Sequence, residues 1–395
     1  MILLAGDWAP GDRRVILSPD APMVVANLEG PILPSDHTCP ARPKAGPHIS
    51  SSVLPDGNNR FTFSLANNHI MDYGLPGLEM TRELLEGRGS KSCGAGRDAC
   101  EARRPVIFED RGISVGIIAC CETQFGVAGR DTPGVAEFGP WVCRAVRDLR
   151  TETDAVIVSV HAGVEDSPWP SPSIRELYRS FIDAGATVVH GHHPHLPQGY
   201  EMYGDGLICY GMGNFAVDPD VWSDSPNGMW SLAAEIDFRS TPVEWRPLTF
   251  EVRHEPGSET IVIDKSSEKE REWHTEYLEK CNRPFADPEL FDGLWQEVAL
   301  RSYYHHGARY MGFPSLQRGM RVKAALSHLK GALLNRTPGR YDHLLRYHMI
   351  ACESHRRMLT TALGVLSEEI RDLRTEETRQ LADEMMPWSC DWGKG

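Results

Sequence analysis

Ala186-Thr187-Val188-Val189-His190-Gly191-His192-His193-Pro194-His195 is the stretch that decides the reading: a short β-branched run delivers four of the sixteen histidines of the chain. A run of that length and composition, bounded by small and turn-forming residues, reads as a buried strand. The imidazoles therefore emerge at its carboxyl end. Each offers one lone-pair nitrogen and the set repels itself once protonated, so a bound cation is the companion that such a density calls for.

Other strand ends repeat the pattern. Residues 1–5, 23–28, 61–66, 113–120, 155–160 and 187–190 each read as a strand, and helical periodicity covers 75–87, 140–150 and 173–184. Alternation of this kind predicts an α/β sheet with helices outside. Asp7 follows the first strand, Asn27 and Glu29 close the second, Asn67-Asn68-His69 follow the third, and His161 follows Val156-Ile157-Val158-Ser159-Val160. In open α/β sheets the carboxyl ends of strands converge on one edge, so these residues can meet although nearly two hundred positions separate the first from the last. Taken singly, an Asp after a strand caps a turn and an Asn pair makes one; the joint pattern is what points to a site. Two carboxylates, a carboxamide and several imidazoles make a mixed oxygen and nitrogen shell, which suits Mn, Zn or Fe better than Mg or Ca, and has room for two ions.

Composition bounds the rest. A chain of 395 residues holds one large core and a second, smaller unit. After Gly213 the pattern changes to longer alternating strands at 229–238 and 243–254, and from 265 onward it reads as helices, including a long periodic stretch at 341–373. The expected division is 1–264 and 265–395. Residues 1–264 hold 21 Lys and Arg against 36 Asp and Glu, whereas 265–395 hold 20 against 19, so the net charge of −14 belongs to the first part. That balance excludes a general nucleic-acid binder. The ten cysteines are scattered without a CxxC pair and read as reduced core thiols. No apolar run approaches the ~20 residues of a membrane span, and the first residues read as a strand and not a secretory signal, which gives a cytoplasmic expectation. Between Glu297 and Glu353 the only acidic residue is Asp342, while nine Lys and Arg, Arg318 and Arg321 among them, lie interleaved with aromatic residues. Such a stripe either grips an anionic small molecule, sugar phosphate or polymer, or forms a solvated helix face.

Gly6-Asp7, Asn27-Leu28-Glu29-Gly30-Pro31, Ser64-Leu65-Ala66-Asn67-Asn68-His69-Ile70-Met71-Asp72-Tyr73-Gly74, His161-Ala162-Gly163-Val164-Glu165, Gly191-His192-His193-Pro194-His195 and Gly211-Met212-Gly213-Asn214-Phe215 closely resemble, in order, the motifs of the CapA family. That family is named for capsule and poly-γ-glutamate synthesis and is related to the calcineurin-like metallophosphoesterases. The resemblance covers about residues 1–255. It implies a four-layered α/β/β/α sandwich with a metal site at one edge and an added C-terminal helical region. It also implies Asp7, Glu29, Asn68 and His161 as metal ligands, completed by two of His192, His193 and His195. Asn68 and His69 would act in catalysis, His69 as proton donor to the leaving group. Asn27, Asn67, Glu165 and Asn214 are expected among the substrate contacts, with Arg318 and Arg321 joining from the basic stripe. Where phosphoesterases carry Asp-x-His, this chain has Asp7-Trp8-Ala9, so one imidazole of that pattern is absent.

The function so implied is a metal-dependent hydrolase of phosphoester or amide bonds in the synthesis of a capsule, O-antigen or related surface polymer, in peripheral contact with a membrane-bound synthesis complex. A non-catalytic metal-binding component of such a complex and an amide-forming or acyl-transfer enzyme of glycan decoration are the alternatives.

Overall fold

The structure is a computed structural model that describes residues 1–18, 23–34, 39–44, 46–54, 60–225, 227–307 and 339–387. Its contacts fall into two compact units, Met1–Arg42 with Pro47–Arg283, and Pro43–Gly46 with the described part of Pro284–Gly395. The first is built on two sheets.

In the larger, nine-stranded sheet β1 (Ile2–Ala9) is central, parallel to β3 (Met23–Leu28) and β14 (Asn214–Val217) and antiparallel to β15 (Trp230–Asp237). Beyond β3 come β4 (Arg60–Ser64) and β5 (Lys91–Cys93), both parallel. Beyond β15 come β16 (Glu244–His254), β17 (Thr260–Lys265) and the edge strand β2 (Arg14–Leu17). The six-stranded sheet runs β12 (Tyr200–Tyr203), β13 (Gly206–Cys209), β11 (Val188–His192), β10 (Ala155–His161), β8 (Ile113–Cys121) and β7 (Val106–Asp110), with the inner four parallel and both edges antiparallel. A small ribbon pairs β6 (Ala95–Gly96) with β9 (Gly134–Val135).

The expected layering is what forms. Leu4, Val24, Val25 and Phe63 of one sheet and Ile117, Val156, Val158, Val188 and Val189 of the other are wholly buried. Strands covered on both faces must be apolar throughout, which is why they read as continuous runs and not as alternating ones. His190 Nε2 meets the Ala5 carbonyl at 2.8 Å and so ties β11 to β1. Helices α3 (Pro140–Leu149) and α4 (Pro172–Asp183) pack on the six-stranded sheet, while α1 (Gly74–Gly87) lies beside β5. Proline at the first turn starts both α3 and α4, and the Ser171 hydroxyl accepts from the Ile174 N–H to cap α4. The short α2 (Ala99–Ala102) and α5 (Pro219–Trp222) sit in connections, and α6 (Glu268–Asn282), opened by a Ser267/Glu270 capping box, closes the unit.

In the second unit the helix Pro288–Ser302 is buried along most of its length and packs against Glu353–Leu366 and Glu376–Met385. Arg301 joins Glu297 and Asp383 across that contact. The periodic stretch expected over 341–373 is corrected to two helices, Arg340–Ala351 and Glu353–Leu366, followed by non-helical chain. Cys352 turns extended (φ −64°, ψ 124°) and its sulfur caps the second helix at the His355 N–H. Past Leu366, Ile370 folds back so that its N–H donates to the Gly364 carbonyl. Its apolar spacing imitates another helical turn while serving a hairpin-like return. Among the described residues no helix is long and apolar enough to cross a membrane.

Candidate metal centre

The strand ends of the two sheets bring Asp7, Glu29, Asn68, His161, His192, His193 and His195 to one place, all at most 6% exposed. Three overlapping triads, Asp7–Glu29–His195, Glu29–His161–His193 and Glu165–His193–His195, have their ligand atoms within 4.8 Å of one another. Glu29 Oε1 stands 3.6 Å from both His161 Nε2 and His195 Nε2, which places it between two of these groups.

The backbone that presents the imidazoles is unusual. His193 (φ 99°) and His195 (φ 60°) are both left-handed, a conformation that costs a bulky residue ~1–3 kcal/mol and persists only where the surroundings impose it. Pro194 lies between them, and its carbonyl accepts from the Asp166 N–H at 3.0 Å, which pins the turn.

The hydrogen bonds assign the tautomers. His190 Nε2–H donates to Ala5 O, so its Nδ1 accepts, at 3.3 Å, from His192 Nε2–H. His192 Nδ1 is therefore a bare lone pair, and it faces Asp7 Oδ1 at 3.1 Å without a hydrogen bond. Two acceptors at that distance repel unless a positive charge lies between them. Asp7 Oδ2, buried and also without a hydrogen bond among the described residues, is 3.6 Å from His195 Nδ1. Two ligands each ~2.1 Å from a common ion stand ~3–3.5 Å apart, and the 3.1 Å between His192 Nδ1 and Asp7 Oδ1 matches. Neutral imidazoles are what a cation needs. Burial, reinforced by the neighbouring imidazoles, pushes His161 well below the usual histidine range, and burial with His192 does the same to His190. At His195 burial works in the same direction, but Glu29 and Asp7 outweigh it and raise the ring. The donor set, the orphaned Asp7 oxygen and the opposed lone pairs all fit a divalent cation.

Behind these groups stand carboxamides. Asn27 donates one N–H to Asp7 Oδ1 (2.8 Å) and points the other at His161 Nδ1 (3.3 Å), while its Oδ1 accepts from Asn67. Asn67 also donates to Leu28 O and accepts from the N–H groups of His69 and Ile70. Both were expected among the substrate contacts, and both are wholly buried, with amides committed to holding the site together. With Nδ1 of His161 accepting from Asn27, Nε2 carries the ring proton and donates to Asn68 Oδ1 at 3.0 Å, a tautomer that a cation at Nε2 would have to displace. Asn214 Oδ1 meets His195 Nδ1 at 3.2 Å and its Nδ2 donates to Gly228 O. Glu165 is exposed at the rim. Arg318 and Arg321 lie outside the described residues.

Four participants escaped the sequence reading. Asp72 Oδ2 holds His69 Nδ1 at 2.8 Å and also accepts from the Ile49 N–H. Glu122 and Gln124 back His193: Gln124 Nε2 lies 2.6 Å from Glu122 Oε1 and 3.0 Å from His193 Nε2. Trp222 covers His195, ring centroids 4.1 Å apart. Glu122 directly follows β8, so the strand-end rule that singled out Asp7 and His161 would have found it if applied to that strand too.

A family model described as "Bacterial capsule synthesis protein PGA_cap" matches residues 13–219. The "Capsule biosynthesis protein CapA" of Bacillus anthracis is 29% identical over 206 residues, 49% of this chain and 50% of that one. The "PGA biosynthesis protein CapA" of Bacillus subtilis (strain 168) is 32% identical over 174 residues, 43% and 45% of the two chains. The chain thus spans about half the length of these curated relatives. Among solved structures, a hypothetical protein from Thermus thermophilus superposes at a TM-score of 0.37 with 14% identity, over 63% of this chain and 98% of that one. A phosphatase of Mycoplasma pneumoniae gives 0.33 with 13% identity, over 64% and 87%. Superpositions that loose fix neither fold nor chemistry, and the assignment rests on the sequence match, which spans Glu29, Asn68, His161 and the histidines 192, 193 and 195 but begins after Asp7. The chain belongs to the bacterial capsule synthesis protein family PGA_cap, to whose model it matches across residues 13–219.

Proposed function

We propose that the protein is a metal-dependent hydrolase of phosphoester or amide bonds acting in the synthesis of a capsule or related surface polymer. The observation that carries the reading is the opposed pair of lone pairs, His192 Nδ1 and Asp7 Oδ1, 3.1 Å apart inside a ring of further buried ligands. Asp7, Glu29, Asn68, His161, His192, His193 and His195 would hold one or two ions of Mn, Zn or Fe type. When bound, such an ion supplies Lewis acidity and a water acidic enough to ionise near neutral pH.

The chain's own groups do the rest. Asp72 fixes the Nδ1–H tautomer of His69, which leaves Nε2 as the atom that takes and gives a proton. A leaving oxygen or nitrogen at that atom receives the proton it needs, a role worth ~10²–10⁴ in rate. Asn27 keeps Asp7 and His161 aimed inward, and Trp222 screens His195 from water. Glu165 at the rim and the basic residues 318 and 321 are proposed as substrate contacts, on an anionic sugar phosphate or polymer.

A second reading, a binding-only component of a synthesis complex, is favoured by Ala9, which stands where phosphoesterases carry an imidazole. Metal content by elemental analysis, followed by assays of phosphomonoester, phosphodiester and amide substrates for the native chain and His69→Ala, separates the two. Turnover lost in His69→Ala with metal retained supports the hydrolase. Metal bound with no turnover of any substrate supports the binding component, and no metal at all rejects both.

A further inference from the structure

The described residues between β14 and β15 serve two places at once. Trp222 lies on His195 and the Gly228 carbonyl holds Asn214, while Ser223, Ser225, Asn227 and Gly228 of the same connection line an open cleft of about 670 Å³. That volume falls within the ~300–1,000 Å³ of small-ligand sites. The cleft and the metal centre are thus neighbours sharing one wall.

Its lining is specific in kind. Trp273 is 49% exposed and rests edge-on against Trp230, ring centroids 5.9 Å apart, and tilted against Tyr277 at 5.7 Å. His274 stacks behind on Trp230 at 3.9 Å and donates from Nε2 toward Glu251 Oε1 at 3.1 Å. The remaining polar groups are mostly neutral. Asn227 Oδ1 takes the Trp230 indole N–H, which leaves the carboxamide donor, and Ser225 donates to Asp166, which leaves its oxygen as an acceptor. Charge is balanced and not basic: Glu251, Glu270 and Lys269 line the cleft, and Arg253 pairs with Glu270, so there is no excess of positive charge to hold a phosphate or a polyglutamate chain. A bare cation finds the acids already engaged, Glu251 by His274 and Glu270 by Arg253 at 2.7 Å.

An exposed flat aromatic face, a rim of hydroxyl and amide groups and no excess of positive charge suit a ring with one apolar C–H face and an edge of hydroxyls. We infer that this cleft binds a neutral saccharide unit, its ring stacked on Trp273, as a subsite beside the metal centre. The inference deepens the function proposed above by giving that site a glycan-bearing substrate, and its test needs neither metal nor turnover.

Saturation-transfer NMR on the 395-residue chain, with maltotriose, galactobiose and N,N′-diacetylchitobiose as probes and poly-γ-glutamate as the anionic comparison, reads the ring C–H protons directly. The expected result is transfer to the ring protons of at least one saccharide, weakened at least tenfold in Trp273→Ala and largely kept in Trp273→Phe, with unchanged circular dichroism. Silence from all three saccharides, undiminished transfer in Trp273→Ala, or binding of poly-γ-glutamate alone at this position would overturn the assignment. Failure of the hydrolase assays leaves this measurement untouched, and a silent cleft leaves those assays untouched, so the two readings fall separately.

Discussion

Asn27 illustrates how much a single buried amide can govern. Its two N–H groups meet a carboxylate and an imidazole that arrive from different sheets, and removing the one that holds Asp7 frees that ligand to rotate. Partners one layer behind a metal ligand typically matter by ~10–100-fold in affinity. Asn27→Ala should therefore weaken Mn or Zn binding by at least tenfold in a competition titration, while Asn27→Asp, which lacks the donors, should do no better. Retention of native affinity by either variant would show the amide to be incidental. At Asp72 the expected signature differs. Asp72→Asn disturbs the tautomer of His69 without touching the ligand shell, so kcat should fall ~10²-fold or more with metal content unchanged. The ligands themselves were legible because chemistry-bearing types sit at strand ends. Asp72, Glu122 and Gln124 were harder, since an acid after a turn and an amide in a loop look ordinary until the fold places them behind a histidine. The bracing role of Asn27 was illegible in a stronger sense, as it depends on which donor meets which acceptor.

Elements hold these residues in register. Gly191 sits in β11 between two of the site histidines, and a Cβ there would stand 2.1 Å from the Tyr210 carbonyl oxygen, with no flexible side chain to yield. Gly191→Ala must push β11 away from the chain entering β14, at a cost of ~3 kcal/mol or more, so loss of the folded protein or of metal binding is the expected outcome in a urea titration. On the far side of the same sheet Glu201 of β12 ties down α4 through Arg175 and Arg179 and accepts the Tyr210 hydroxyl at 2.5 Å. Burial opposes ionisation of this carboxyl, yet Arg179, Arg175 and Tyr210 together hold it down at about 2, from an ordinary 4.5. A folded pKa below the unfolded one stabilises above about pH 4.5 and loses that contribution as pH falls toward about 2. Allowing for solvent screening, the share is roughly 2 kcal/mol. Glu201→Gln should lose about that much at pH 7 and little near pH 2, and equal losses at both ends would assign the effect to packing. The strands β1, β3, β4, β8, β10, β11, β15 and β16 and the helices α1, α3 and α4 could be read from periodicity to within about four residues. The β12–β13 hairpin, the edge strand β2 and the strands β5, β6, β7, β9, β14 and β17 could not, because they run two to six residues and show too little of a period. The stretch 341–373 misled for the opposite reason: its apolar period is genuine, but Ile370 uses it to fold back on Gly364.

At the scale of the whole chain, charge and chemistry are divided. Residues 1–264 carry a net −15, from 21 basic and 36 acidic residues, against +1 for the remainder, from 20 and 19, a contrast written in the amino-acid sequence itself. Every described residue of the metal centre lies in the first compact unit. A cation that binds only the folded site stabilises it by RT ln(1 + [L]/Kd), about 2.7 kcal/mol at a hundredfold excess over Kd. That free energy acts on the openings that disrupt the site, and two sheets tied together at β1 and β11 should open together. Hydrogen exchange followed by mass spectrometry, with and without Mn or Zn, should therefore show slower exchange across β1, β3, β10 and β11 when metal is added. The helices Pro288–Ser302 and Glu353–Leu366 have a core of their own, and their exchange should not change. Slowing confined to the residues touching the ion would mean that the sheets open independently of the site. Equal slowing in those helices would mean that the two units unfold as one, and the division of the chain into a site-bearing unit and a separately stable helical one would have to be given up.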